Sequence, residues 1–587
     1  MTLPNLQGAE LLALDIETHD PDLLDLGPGP RRGDGRILGV GVADGKQSWY
    51  IPVSHPASEN VALEYVVAWL NDMKPKAIVG ANLLYDLDWL THHGYRPDGS
   101  RLLDVQLAEP LLDENRKYYN LDSLGKKYFG TGKNEEELDY YCMMNGWKGK
   151  PQQHLHKMPA DLVAPYCKND CELTFDVLQA QMPELAKQDL LDLFDLECGL
   201  LPLLLRMRQV GVRFNAGRLA ELREEYTFQR DTLAAELRAM VGFEVNVDAA
   251  RSIRDAFMSL SLPFEMTDKG NPSFSEAALN AADHDVARKI LSVRHYNTLL
   301  GTFVEGLSKH VLNDRIHCQF HPLRGDEYGT VSGRFSSSNP NLQQIPARDG
   351  QSKKDLRGLF VPEDGCRWLK LDYSQIELRI LAHFGRGTGA EEMRAAYQKN
   401  PDMDFHQFCA DLINGHLPEE KKIKRGTAKS INFGVVYGMG KAKMATDLGL
   451  TDSAAALLMG QYYAALPFLR QTGNEAKNVA ERRGYIKTLL NRRRRFIDKR
   501  WTYKALNALI QGSAADVMKK AMVDAWRSGV FDVLVPHLTV HDELDCSVPE
   551  GKAGDEAVAE LKRICENTIP LRVPLVAECE LMETWAG

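Results

Sequence analysis

The sequence predicts a multidomain protein of mixed α/β and α+β class, and three observations carry that expectation. The chain has 587 residues, more than one hydrophobic core organises, so two to four domains are expected. Residues 1–180 alternate strand-like and helix-like runs. From residue 313 strands return, with helical text over 401–501 set between them, the pattern of a sheet carrying an inserted helical subdomain.

Taken in order, "ELLALDIET", "ILGVGVADG" and "SWYIPVS" read as strands bounded by Gly or Asp turns. "ALEYVVAWLNDM" and "LVAPYCKNDCELTFDVLQAQ" read as amphipathic helices. They make a first domain over 1–186, with the polar, Gly- and Pro-containing stretch 131–157 as an excursion at its edge. Residues 187–312 are helical, from "LLDLFDLECGLLPLLLRMRQVGV" to "AGRLAELREEYTFQRDTLAAELRAMV", without a repeat. Such a region suits an arm or a clamp. The last strand pair is "HLTVHDELDCSVP".

With 44% hydrophobic and 26% charged residues, the composition is that of a globular protein. No apolar run reaches about 18 residues, so no membrane-spanning helix is expected. The start, "MTLPNLQGAELLALDIET", lacks a basic segment and a cleavable apolar stretch, so no secretory signal is expected either. Ten cysteines are scattered without a CxxC pair; Cys167 and Cys171 have no partner motif. Reduced, buried thiols and a cytoplasmic location are expected. The net charge of −10 does not exclude a nucleic-acid partner, because distribution matters more than the sum. Acids gather in "NEEELD" (134–139) and near the C-terminus, bases in "KKIKR" (421–425) and "NRRRRFIDKR" (491–500).

The chemistry starts at "LKLDYSQIEL" (369–378), where an apolar strand ends by presenting Asp372. "LVPHLTVHDELDCSV" places Asp542 and Glu543 in a second hairpin. Alone, each also reads as a strand-ending acid with a turn or capping role. Together, carboxylates on adjacent strand tips suit divalent ions, since Mg²⁺ takes a few carboxylates plus substrate phosphates. A pair of such ions clamps the attacking and leaving oxygens of phosphoryl transfer. A third element adds weight: in "KRGTAKSINFGVVYG" (424–438), Arg425, Lys429, Phe433 and Tyr437 are spaced four apart and form one helical stripe. Two cations followed by two aromatics would fit a triphosphate beneath the cations and a base against the ring. Gly434 and Gly438 each cost the helix about 1 kcal/mol relative to Ala and suggest close approach of another body. "YGMGKA" is not a P-loop, because Val435 stands where its first glycine is needed.

Three further segments carry acids. "LDIET" places Asp15 and Glu17 on one face of a strand. "NLLYD" supplies Asn82 and Asp86, and "YCKND" supplies Tyr166 and Asp170 on one helical face. Four carboxylates and a tyrosine can bind two metals and orient a water.

"LDYSQIELR", "RGTAKSINFGVVYG" and "VHDEL" resemble motifs A, B and C of family A DNA polymerases, the bacterial DNA polymerase I and T-odd phage type. "TVSGRFSSSNPNLQQIP" (330–346) and "LNALIQGSAADVMKKAM" (506–522) resemble the family's segments ahead of motifs A and C. The likeness covers about 320–585, in order and spacing. It implies a right-hand fold with thumb 187–312, palm 313–400 and 502–587, and fingers 401–501. Asp372 and Asp542 would hold two Mg²⁺, with Glu543 beside them and Mn²⁺ as an alternative. Arg425, Lys429 and His406 would grip the triphosphate, with Tyr373 and Gln375 lining the pocket. Glu377 would crowd a 2′-hydroxyl, Phe433 would pack on the incoming sugar and base, and Tyr437 would lie near the template. Arg334 and Gln511 would reach minor-groove acceptors, which are nearly the same in every correct pair. Asn341, Gln343, Gln344, Asn507 and His541 match other primer-template positions. The first-domain set resembles a DEDDy 3′–5′ exonuclease of RNase H-like fold, with Asp15, Glu17, Asp86 and Asp170 holding two further Mg²⁺ and Tyr166 beside them.

The Arg run reads as a solvated surface or, by resemblance, as a contact to template-primer phosphates through Arg493 and Arg494. The chain starts at the exonuclease segment, so no 5′ nuclease domain is expected, and the order looks more like a replicative phage polymerase. Its partners would be primer-template DNA, deoxynucleotides and replication proteins such as a helicase or a single-strand-binding protein. The thumb stretch leaves no room for a large processivity insert. Tyr503 stands where bacterial enzymes usually have an arginine near the template. Phe433, rather than Tyr, implies discrimination against dideoxynucleotides. A nuclease or repair factor with a merely structural polymerase half is the alternative reading; loss of Asp372, Lys429 or Asp542 would have favoured it, and all three are present. RNA synthesis or reverse transcription is disfavoured by Glu377.

Overall fold

A computed structural model of the chain describes all residues except 1, 2, 268, 328, 348, 349, 416–421, 437–439 and 449, and omits the side chains of 433, 435, 436, 441 and 447. The chain divides into two compact units, the first made of Met1–Val210, Cys318–Ser338 and Leu369–Leu581, the second of Gly211–His317, Asn339–Trp368 and Met582–Gly587.

The N-terminal part of the first unit is built on five strands: β1 (Leu12–His19), β2 (Arg36–Ala43), β3 (Ser48–Pro52), β4 (Ala77–Gly80) and β5 (Arg101–Asp104). They lie in the order β3-β2-β1-β4-β5. β1 pairs antiparallel with β2 and parallel with β4, and β4 runs parallel to β5. This is the expected RNase H-like arrangement. The central strand carries Asp15 and Glu17 at alternate positions, and the helix Ala160–Lys187 packs against β1, β2 and β3. Gly41 permits that contact, since a Cβ there would meet Cys167 Sγ at 2.6 Å.

The remainder of this unit carries a four-stranded sheet in the order Val535–Val540, Glu543–Pro549, Cys366–Tyr373, Ala577–Met582. Apolar residues alternate along Cys366–Tyr373, with Leu369 and Leu371 fully buried and Lys370 and Asp372 on the other face. The long helix Ala505–Ser528 and the helix Lys552–Asn567 pack together beneath it. Between these strands lie the expected helices, among them Phe405–Asn414, Arg425–Val436, Asp452–Ala465 and Pro467–Arg483.

The second unit holds the helix Ala216–Val241 against Asp285–Thr298, with Leu237, Ile253, Phe257 and Ile290 in its core. A small sheet joins Val212–Phe214, Arg315–Ile316, Val311–Leu312 and Phe360–Val361.

The first segment of the first unit runs on to Val210. Glu197, fully buried, accepts two bonds of 2.8 Å from the Lys519 ammonium and one from Arg492 at 2.5 Å, tying its helix into this unit. Within segment 131–157, Leu138, Cys142 and Leu155 share a buried cluster with Met158, Val163 and Tyr166, so this excursion is packed. Its apolar residues are few but correctly spaced along the helix Glu136–Met144 and the turn Pro151–Lys157.

Candidate active sites

In the N-terminal part, the strand β1 delivers Asp15 and Glu17, and a donor atom of each lies within 4.8 Å of Cys167 Sγ and of the other. Asp86 joins from the helix Leu83–His92, buried, its Oδ1 accepting the Ile16 amide at 3.0 Å. Tyr166 and Asp170 come from one turn of the long helix, both buried. All four carboxyls are pushed upward, in each case chiefly by burial. Glu17 is raised further by Asp15 and Asp170, Asp86 by Asp15, and Asp170 reaches about 7. Asp170 Oδ1 has no hydrogen-bond partner. Lys133, from the 131–157 segment, ion-pairs with Asp170 and donates to the Tyr166 hydroxyl at 2.9 Å. Sequence reading missed Lys133, because a lone lysine in a polar stretch carries no periodic signal. It had counted Cys167 as a plain buried thiol, whereas its Sγ lies 3.4 Å from Asp15 Oδ2.

The second centre forms where the strand Cys366–Tyr373 meets the tip of the Val535–Pro549 hairpin. The Tyr373 amide donates to the Asp542 carbonyl at 3.3 Å, which sets Asp372 and Asp542 side by side. His541, at φ 61°, makes the turn in the left-handed region. Burial and then the Asp542 charge push Asp372 up to about 7, and burial raises Asp542 to about 6. Lys370, two residues before Asp372 and so on its face, sits 3.7 Å from Glu543 Oε2 and 4.0 Å from Asp372 Oδ2. Arg334 ion-pairs with the buried Glu377 carboxylate.

Around this centre the expected nucleotide residues divide. Tyr373 is corrected: its ring is buried and its hydroxyl donates to the Cys565 carbonyl at 2.8 Å, so the side chain faces the core and only its main chain borders the site. Gln375 accepts from the Phe405 amide at 3.0 Å and donates to the Met403 carbonyl at 3.3 Å, stapling the start of the helix that carries His406. His406 is buried, with Asn432 Nδ2 2.8 Å from its Nδ1, and burial lowers it to about 4. Arg425 Nε lies 2.5 Å from Asp404 Oδ2, a partner that sequence reading did not name. Lys429 is exposed. Tyr437 and the side chain of Phe433 lie outside the described residues.

The expected DNA residues also separate. Asn507 and Gln511, four apart on the helix Ala505–Ser528, line an open cavity of about 370 Å³ with Arg494. The Arg run is not a solvated face. Arg494 donates to Asn115 Oδ1 at 2.7 Å and pairs with Glu114 at 3.2 Å; Arg493 donates to the Gln188 carbonyl at 2.7 Å. Asn341, Gln343 and Gln344 lie in the second unit, on and beside the turn Leu342–Gln344, where Asn341 Oδ1 accepts from the Gln343 amide at 3.1 Å.

With the geometry in place, comparison with known proteins adds one fact that geometry alone does not supply. The family model described as DNA polymerase family A matches residues 216–587. The chain belongs to DNA polymerase family A. This family A member is 33% identical to a DNA-directed DNA polymerase of Pseudomonas phage M6, over 100% of this chain and 95% of that one. It is 31% identical to DNA polymerase DpoZ of Salmonella phage PMBT28, over 97% and 96%. It is 29% identical to DNA polymerase I of Pseudomonas aeruginosa, over 99% of this chain but 64% of the bacterial one. The POL domain of Pol1 from M. smegmatis, solved in complex with DNA primer-template and dNTP, superposes with a TM-score of 0.81 at 24% identity, covering 98% and 95% of the two chains, and so shares the fold. The activity of the chain is therefore DNA-directed DNA synthesis. No helix among the described residues is long and apolar enough to cross a membrane.

Proposed function

We propose that this polymerase extends a primer 3′ end along a DNA template with deoxynucleotides and proofreads with residues 1–186 as a 3′–5′ exonuclease, in the replication of a phage genome. The observation that carries the reading is the presence, in one chain, of two separate acidic centres, each raised by burial. Residues 187–312, 313–400 with 502–587, and 401–501 act as thumb, palm and fingers. Primer-template DNA and dNTPs are the direct partners, a helicase or single-strand-binding protein further ones, and the host cytoplasm the place.

Both centres fit divalent cations. An unpartnered buried Asp170 oxygen and mutually repelling carboxyls are what such ions neutralise. Asp15, Glu17, Asp86 and Asp170 would hold two Mg²⁺ in the first, Asp372 and Asp542 two in the second, with Mn²⁺ as a substitute. When bound, such ions supply Lewis acidity and charge neutralisation for phosphoryl transfer. The chain's own residues do the rest. Arg425 and Lys429 receive the triphosphate, and His406, fixed by Asn432, stands beside them. Gln375 holds that helix to the palm. Glu377, anchored by Arg334, fills the space that a 2′-hydroxyl would need. Arg334 and Gln511 test the shape of the new pair at the minor groove. Tyr166, with Lys133 on its hydroxyl, orients the water of the exonuclease centre.

The test is a 5′-labelled primer on a longer template with Mg²⁺, with and without the four dNTPs. Lengthening with dNTPs and shortening without them supports both activities. Shortening alone would make the protein a nuclease; lengthening without any shortening would remove the proofreading half.

A further inference from the structure

One surface feature of the first unit has no role in the two centres. Residues Lys499–Lys504 form a 3₁₀ turn, with Asp498 Oδ1 accepting from the Arg500 amide at 2.8 Å. Thr502 is buried, and its hydroxyl donates to the Lys499 carbonyl at 2.7 Å. With Thr502 turned in, its neighbours turn out: Trp501 is 50% exposed and Tyr503 49%. Their ring centroids lie 6.2 Å apart with planes inclined by 35°. A 3₁₀ turn eclipses residues three apart, and the Lys504 ammonium accordingly sits 4.4 Å over the Trp501 ring. Trp501 and Lys504 form one wall of the cavity that Arg494, Asn507 and Gln511 also line. In the same wall, Asn507 Oδ1 is buried without a hydrogen-bond partner.

The exposed Trp501 ring, two cations and an unmet amide oxygen around one open cavity, with the exposed Tyr503 ring beside Trp501, suit a nucleobase with its adjoining phosphates. Bases inside a duplex have both faces covered by their neighbours, so the rings need an unpaired one. We propose that Trp501 and Tyr503 are a stacking platform for an unpaired nucleobase of bound DNA, with Lys504 and Arg494 meeting the flanking phosphates. The inference rests on the polymerase–DNA reading above and adds a contact to single-stranded DNA. Two sources offer such a base: the template beyond the primer terminus, and a frayed primer 3′ end.

Equilibrium binding of the full chain to fluorescent DNAs, without divalent ions, tests this. The DNAs are a blunt duplex, a duplex with a 5′ template overhang, and a duplex with an unpaired primer 3′ tail. Trp501→Ala is expected to weaken binding to one of the two tailed DNAs by about tenfold, leave the blunt duplex unchanged, and keep the slope of log K against log salt. Trp501→Phe, which keeps a ring, is expected to recover most of the loss. Lys504→Ala should instead flatten the salt slope by about 1. Loss on the overhang assigns the platform to the template, and loss on the tail to the primer. Wild-type affinity of Trp501→Ala for all three DNAs, an equal loss on the blunt duplex, or a Trp501→Phe as weak as the alanine variant would each overturn the proposal. Wild-type protein that binds none of the DNAs would remove the polymerase–DNA reading with it.

Discussion

The Lys133 ammonium lies 2.9 Å from the Tyr166 hydroxyl and pairs with the Asp170 carboxylate, beside the buried Glu17 and Asp86 carboxyls and the half-buried Asp15. Against burial, which lowers it, the Asp170 carboxylate and the Tyr166 oxygen hold Lys133 well above its ordinary range. It is a fixed positive charge in a group that otherwise repels itself. Lys133→Met is expected to slow primer degradation by about tenfold or more, the worth of one charge-assisted hydrogen bond. Primer extension by the same variant should match wild type, and a single-turnover assay of each activity checks it.

Replacing Asp15 and Glu17 together by alanine should abolish degradation while synthesis persists, since both sit on β1, in a sheet separate from the Asp372 strand. Degradation retained by the purified double variant would refute the exonuclease assignment.

Asp542 carries a sign that stability measurements can read. Its carboxyl is raised to about 6, chiefly by burial. An acid raised in the folded state binds its proton more tightly there, so the folded protein loses stability as pH rises from about 4 through 6. Asp542→Asn should therefore melt about 2 °C higher than wild type at pH 7.5, with the gain vanishing near pH 4. Synthesis should be lost in the same variant. Added Mg²⁺ should raise the wild-type melting temperature more than that of the variant, because a ligand of the folded state stabilises it by mass action.

His321 gives the opposite sign. Burial and then Arg208 lower it to about 4, and its Nε2 lies 2.7 Å from Ser338 Oγ. A histidine kept neutral in the fold contributes stability above its unfolded value of about 6.5, lost as pH falls toward 4. The full loss would be roughly 3 kcal/mol at the shift shown. Urea unfolding at pH 7.5 and 5.0 should show a smaller drop for His321→Gln than for wild type.

Arg494 and Arg495 are neighbours with different duties. Both pair with Glu114, Arg494 at 3.2 Å and Arg495 at 2.6 Å, but Arg495 also bonds Gln188 at 2.8 Å whereas Arg494 lines the open cavity. Arg494→Ala should flatten the salt dependence of DNA binding by about one unit of slope. Arg495→Ala should leave the slope and cost about 1–3 kcal/mol of stability, the penalty for stripping a buried ionic partner.

The sequence by itself determined the class of the fold, the five segments that mark the family, and both sets of carboxylates. Those signals are local: alternation places Asp15 with Glu17 on one strand face, and four-residue spacing places Tyr166 with Asp170 and Arg425 with Lys429 on single helical faces. Tertiary structure decided which neighbours each of these meets. Lys133 reaches Asp170 from a segment with too few apolar residues to announce its packing. Tyr373 looks like a site residue in its motif, but strand alternation sends its ring to the core, where Cys565 waits. Arg494 reads as surface until the hairpin Tyr485–Arg495 brings it to Glu114, hundreds of positions earlier in the chain. Charge pairs of this kind have no period in sequence, because a buried ion finds its partner through the packing of whole elements, and only the assembled fold fixes that distance.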